Sequence, residues 1–231
     1  MAAAIGGQGR RAVAVPSRRE GKSIETRNKI LDAAEELFSI HGLYGVTLRD
    51  IAAKTGVDTA LLHYYFDSKD NIFIEVVQRR GADLIGECHR ELDTYEAEAG
   101  DAMTIDGLVA AYLRPVFRLN RNGGKSWRNY CALVLRLSNS PDWASEIISE
   151  HFDPLALKMI KLLKRAMPEC DETNLYWAHQ MFVRVMTITN APKGRLERLS
   201  DGRCKANDFD TMEPLIVRFT VEGIRGICTK N

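Results

Sequence analysis

A tight turn between two short amphipathic segments constrains this chain more than any other feature. Residues 26–70 read TRNKILDAAEELFSIHGLYGVTLRDIAAKTGVDTALLHYYFDSKD. Ile30, Leu31, Ala34, Leu37 and Phe38 recur at helical spacing and make one apolar stripe, with Lys29, Asp32, Glu35 and Glu36 expected outside it and Gly42 placed to stop the helix. Thr47 stands three residues before Asp50, the spacing of a capping box. That spacing predicts a second helix over 48–55, with Ile51 and Ala52 facing inward. Gly56 allows the left-handed backbone of a turn, Val57 fills the corner, and Asp58 can cap a third helix over 59–65. Two helices this short and this tightly joined must cross steeply, so the segment predicts a helix-turn-helix.

A short helix with a polar front and an apolar back can enter the major groove of duplex DNA. Thr59, Ala60, His63 and Tyr64 make the front, and Leu61, Leu62, Tyr65 and Phe66 are the candidates for anchoring. Lys69 falls in the first turn of the next helix, where a cation opposes the helix dipole; a phosphate beside it would complete the site. A solvated lysine ahead of a surface helix is the alternative.

The pieces TRNKILDAAEELFSIHG, TLRDIAAKTGV and LLHYYFDSKDNI, about 45 residues together, resemble the DNA-binding domain of the TetR (tetracycline repressor) family of transcriptional regulators. The resemblance implies an all-α homodimer whose larger C-terminal domain binds a small molecule and whose paired recognition helices leave the operator when that molecule binds. By position it makes Thr47, Arg49, Thr59, Ala60, His63, Tyr64 and Lys69 the DNA-facing residues. The position before Ala60 is often basic in relatives and is Thr59 here, which removes a cationic base contact and leaves the bases read open. Farther on, YCALVLRLSNSP, EHFDP and LYWAHQMF are faintly similar to the C-terminal domain of members that respond to fatty acids or acyl thioesters.

The 231 residues, 45% hydrophobic and 27% charged, suffice for a small DNA-binding domain and one larger core, expected as a basic disordered arm over 1–22, a helix-turn-helix domain over 23–70, and a ligand-binding and dimerisation domain over 71–231. The formal net charge is only +1, but residues 1–29 hold seven basic residues against two acidic ones, so positive charge gathers at one end. An arm of that kind can touch phosphate or the minor groove, or serve only as a solubilising tail. No apolar run reaches membrane-spanning length and no signal-peptide core opens the chain, so a cytoplasmic protein without membrane contact is expected. Five cysteines without CxxC spacing read as isolated, buried and reduced, with no zinc site; the histidines are scattered and no HExxH, GxSxG or phosphate-cradling loop is present, so neither catalysis nor a cofactor is expected.

Beyond Lys69, apolar spacing predicts a long helix to about Tyr95, an acidic loop over 96–106, a helix near 108–119 kinked at Pro115, another over 127–137, and one opened by the Asp153–Pro154 pair and running through Ala166. Tyr112, Phe117, Trp127, Tyr130, Cys131, Val134, Met159, Tyr176, His179, Phe182 and Met186 are the candidate lining of a pocket for an apolar, fatty acyl or aromatic effector, although such stripes are more often plain core. The last two helices carry Phe182, Val185, Leu215, Ile216, Phe219 and Gly223, small and apolar positions suited to a four-helix seam between two copies. The connection over 191–208 is long and basic, and is expected either to move or to reach over the partner's pocket. The combined expectation is a ligand-responsive repressor on a palindromic operator. A helical adaptor without operator binding is the alternative, and the intact Thr47, Tyr64 and Lys69 argue against it.

Overall fold

The computed structural model describes residues 18–137, 142–186 and 194–229. Among the described residues the chain is all-α, with ten helices, one 3-10 turn over Gly100–Ala102 and no strand. The helices are α1 Arg18–His41, α2 Leu48–Thr55, α3 Thr59–Phe66, α4 Lys69–Ala99, α5 Ile105–Asn122, α6 Gly124–Leu137, α7 Asp142–Ala166, α8 Glu172–Met186, α9 Arg195–Leu199 and α10 Phe209–Cys228.

Several boundaries differ from expectation. Residues 1–17 of the basic arm lie outside the described residues, while Arg18–Lys22 already form the first turns of α1. Interactions a few residues on tie this end down: Ser23 Oγ lies 3.1 Å from Tyr65 Oη, and Arg27 pairs with Glu75 of α4. The acidic stretch 96–106 is helical for most of its length, and Tyr95 Oη closes its end by accepting from the Thr104 N–H at 3.0 Å. Helix α7 starts eleven residues before Asp153, so Pro154 sits inside a helix rather than at its first position. Proline there removes one N–H donor and crowds the carbonyl four residues earlier, a cost that a long helix packed on its neighbours absorbs.

Two apolar cores result. Ile30, Leu31, Phe38, Ile51, Leu62 and Phe66 of α1–α3 form the first, which is closed by Ile72, Phe73, Val76 and Val77 of α4 and by Leu133 of α6. The second starts at Leu84 on the same α4 and gathers α5, α7, α8 and α10 around Leu113, Phe117, Leu163 and Phe182. The first core therefore extends past residue 70, because Phe38 and Phe66 are enclosed only with the help of Ile72, Phe73, Val76 and Val77 of α4. Between the two cores Gly81 keeps the surface of α4 low: a Cβ there would stand 3.1 Å from Tyr130 Oη.

The cysteines are not all isolated. Cys170, in the turn before α8, is bonded to Cys228 at the end of α10 across 58 residues, with the Cα atoms 4.9 Å apart. Sequence spacing cannot anticipate this pair, since only the packing of α10 against α8 brings the two ends together. Cys88 and Cys131 are buried thiols outside any disulfide, and Cys204 is an exposed one. The connection after α8 is ordered locally around Glu197, whose carboxylate accepts from the Gly194 N–H at 2.7 Å and the Ala206 N–H at 2.8 Å.

Candidate nucleic-acid face and buried cavity

The helix-turn-helix is built by three caps. Thr47 Oγ1 accepts from the Asp50 N–H at 3.2 Å while Asp50 Oδ2 accepts from the Thr47 N–H at 2.8 Å, a complete capping box at the start of α2. The Thr47 hydroxyl also donates to Asp50 Oδ2, and that bond first, then the one from the Thr47 backbone, holds the Asp50 carboxyl below the usual carboxylate range. Gly56 ends α2 with φ of 69°, where a side chain would be strained. Asp58 Oδ1 then accepts from the Ala60 N–H at 2.8 Å and starts α3, and Ser68 Oγ accepts from the Asn71 N–H at 3.1 Å to start α4.

Leu62 and Phe66 anchor α3 in the first core, Leu61 and Tyr65 are half-buried, and Arg27 lies over the Phe66 ring at 5.1 Å. Thr47, Arg49, Ala60, His63 and Tyr64 are exposed on the opposite side, Tyr64 at 80%, while Thr59 is half-buried. Tyr44, in the turn between α1 and α2, is also exposed and was not anticipated. Lys69 differs from its expected role as a free cation. Its Nζ donates to the carbonyls of Leu43 at 2.8 Å and Val46 at 2.9 Å, so the ammonium clamps the α1–α2 turn to the start of α4. Those acceptors help to hold a cation at the start of α4 against the helix dipole.

Between the cores lies a polar cluster absent from the sequence reading. Glu35 of α1, expected outside the stripe, is only 2% exposed. It meets Arg79 at 3.1 Å and Arg80 at 3.4 Å from α4, and accepts from Ser126 Oγ of α6 at 2.6 Å. Its neighbour Glu36 pairs with Lys125 of α6 at 3.0 Å and Lys54 of α2 at 3.4 Å, and these partners lower its pKa.

Below that cluster a cavity of about 600 Å³ is walled by Leu84, Ile85 and Cys88 of α4, Tyr112 and Val116 of α5, Val134 of α6, Phe152, Asp153, Leu155, Ala156, Leu157 and Ile160 of α7, and Tyr176, Trp177, His179, Gln180, Val183 and Met186 of α8. Burial pushes the Cys88 thiol up to about 12, raises the Tyr112 phenol and lowers His179, so these walls stay uncharged near neutrality. His179 is 7% exposed and its Nε2 has no hydrogen-bond partner among the described residues. Of the expected lining residues, Tyr112, Val134, Tyr176, His179 and Met186 reach the cavity. Phe117, Trp127, Tyr130, Cys131, Met159 and Phe182 do not; they are buried in the second core, on the sides of their helices turned toward other neighbours. The walls on α4 and α7 were missed, although 84, 85, 88 and 152, 153, 156, 157, 160 follow helical spacing.

The expected seam between copies also divides. Phe182 and Ile216 face the second core, whereas Leu215, Phe219 and Gly223 lie on the outer face of α10, and Met181 of α8 is exposed as well. Phe219 is 68% exposed, and space is open above Gly223 and Gly226.

A capped helix-turn-helix beside a cavity-bearing helical domain is the architecture of a helical DNA-binding regulator. Residues 30–76 match the family described as bacterial regulatory proteins, tetR family, and residues 110–223 match the tetracyclin repressor-like C-terminal domain. The chain belongs to the TetR family. It is 28% identical over 129 residues to the biofilm operon icaADBC HTH-type negative transcriptional regulator IcaR of Staphylococcus epidermidis, a match covering 56% of this chain and 62% of that one. The match thus spans less than two thirds of that relative. Among solved structures, the transcriptional regulator FadR from Bacillus subtilis in complex with stearoyl-CoA superposes with a TM-score of 0.59 at 18% identity, over 85% of this chain and 98% of that one. A regulator from Saccharomonospora viridis in complex with choline gives 0.51 at 18% identity, over 85% and 95%. One fold thus accompanies ligands of opposite charge, so the fold leaves the ligand's charge open.

Proposed function

We propose that the protein is a ligand-responsive transcriptional repressor that binds an inverted-repeat operator as a homodimer and leaves it when a small, largely apolar molecule enters the cavity. The observation that carries this reading is the double use of α4: residues 72–77 close the core beneath the recognition helix, and Leu84, Ile85 and Cys88 of the same helix line the cavity. A ligand that moves this wall must move the base of the helix-turn-helix, and the Glu35–Arg79–Arg80 cluster transmits the shift to α1. An effector that binds the displaced arrangement better draws the population away from the operator-competent spacing.

In this reading Thr59, Ala60, His63 and Tyr64 address the groove, Thr47 and Arg49 meet the backbone beside it, and Lys69 sets the geometry of the turn. Two copies join through Met181, Leu215, Phe219 and Gly223, an exposed apolar face that water leaves unfavourable in a lone protomer. The negative regulation named for the relative from S. epidermidis supports repression as the sign.

Selection of bound sequences from a random duplex library at two salt concentrations tests the proposal. Enrichment of an inverted repeat, with affinity falling steeply as salt rises, is the expected result. No enrichment from an intact dimer would overturn it in favour of a protein-interaction adaptor.

A further inference from the structure

The charge pattern of the cavity narrows its ligand, on the reading that the cavity is the effector site. Its inner wall, Leu84, Ile85, Val116, Leu155 and Ile160, is apolar, and the buried Cys88, Tyr112 and His179 are neutral. No arginine or lysine stands among the described residues that line it. A carboxylate, phosphate or acyl-thioester headgroup would therefore find no counter-ion inside, and burying it would carry the full desolvation penalty.

The α7–α8 side is different. Asp153 is exposed and is the sole formally charged group among the described lining residues. Phe152, Tyr176 and Trp177 line the same cavity, with Tyr176 and Trp177 each about half exposed. A carboxylate and aromatic rings in one cavity attract a positive group through Coulomb and ring-quadrupole terms, and the carboxylate repels an anion.

We propose that the effector is a lipophilic cation, its apolar body in the cavity and its amine or quaternary ammonium against Asp153 and the rings of Tyr176 and Trp177. The geometry fits an amphiphile, since the apolar wall and the acidic, aromatic side belong to one continuous space.

The full-length protein is titrated by calorimetry with three probes of equal chain length below their micelle concentrations: decyltrimethylammonium, decanol and decanoate. The cation is expected to bind about tenfold tighter than decanoate, with decanol between them. Asp153→Asn should weaken the cation about three- to tenfold and leave decanol within about twofold, because only the Coulomb term is removed. Tyr176→Leu should lower the cation's advantage over decanol about threefold. Val183→Trp, which adds bulk to the α8 wall of the cavity, should weaken binding of all three. Decanoate binding as tightly as the cation, or an unchanged cation affinity in Asp153→Asn, overturns the charge assignment while leaving the cavity as effector site. Failure of all three probes to bind, or binding unaffected by Val183→Trp, overturns the cavity reading and this inference with it.

Discussion

The two halves of the molecule are built on different scales. In the helix-turn-helix, each helix start is fixed by residues two or three apart: Thr47 with Asp50, Asp58 with Ala60, Ser68 with Asn71. In the C-terminal half, one cavity draws its wall from five helices, and residues as far apart as Leu84 and Met186 share it. Local chemistry can present a recognition surface on a few dozen residues, whereas a ligand cavity is what packing leaves over. The first can be read by sequence neighbours; the second depends on every helix around it.

The halves nevertheless share α4 and Leu133, and this gives the largest expected effect. Phe38→Ala empties a fully buried site in the first core and should cost about 3–5 kcal/mol. Because α4 serves both cores, far-UV circular dichroism and a fluorescence probe at Trp177 should report one coincident, lowered transition. A second transition at the unaltered temperature would show that the halves are independent, and the proposed relay through α4 would lose its basis.

Next in size is the outer face. Phe219→Glu places a charge in the proposed seam without touching the core, so the protomer should stay folded while sedimentation shows monomers and operator affinity drops about 100-fold. An unchanged dimer would remove this face from the assembly. Glu35→Ala should cost less, about 1–3 kcal/mol, since Arg79 and Arg80 retain partial access to water. Its more telling readout is the effector's influence on operator affinity, which should shrink while effector affinity itself holds. Tyr64→Ala should weaken operator and random DNA alike by about tenfold, and Thr59→Ala should chiefly change sequence preference. Equal loss of preference in both variants would break that division of roles.

What was legible in the sequence follows the same divide. The caps, Gly56 and the apolar backing of α3 could be read because each depends on a fixed short spacing. The carbonyl partners of Lys69 could not be read, because Leu43 and Val46 lie in a turn more than twenty residues away. Glu35 looked solvated for a related reason: a charge between apolar residues reads as surface until two arginines and a serine from other helices surround it. In the C-terminal half, Phe117 and Tyr112 lie on one apolar helix and cannot be told apart by pattern, yet only Tyr112 reaches the cavity. The Cys170–Cys228 bond was equally hidden, since it depends on where α10 ends in space.

The smallest expected effect tests how far local chemistry alone sets the recognition surface. Thr47 uses its hydroxyl twice within the cap, donating to Asp50 Oδ2 at 2.7 Å and accepting from the Asp50 N–H. Asp50 is held below its ordinary pKa, so the folded state binds a proton there less readily than the unfolded chain does. The cap's contribution is therefore complete above the usual carboxylate range and is lost as pH falls through the lowered folded value. Thr47→Ser keeps both hydroxyl bonds and should preserve this acid limb of the stability profile, whereas Thr47→Ala should flatten it. If operator affinity follows the same order, with serine close to the parent and alanine weaker, Thr47 acts on DNA through the geometry of α2. A loss of affinity in Thr47→Ser with the acid limb intact would instead assign the contact to the threonine methyl, and the face would then be read by direct touch at this position.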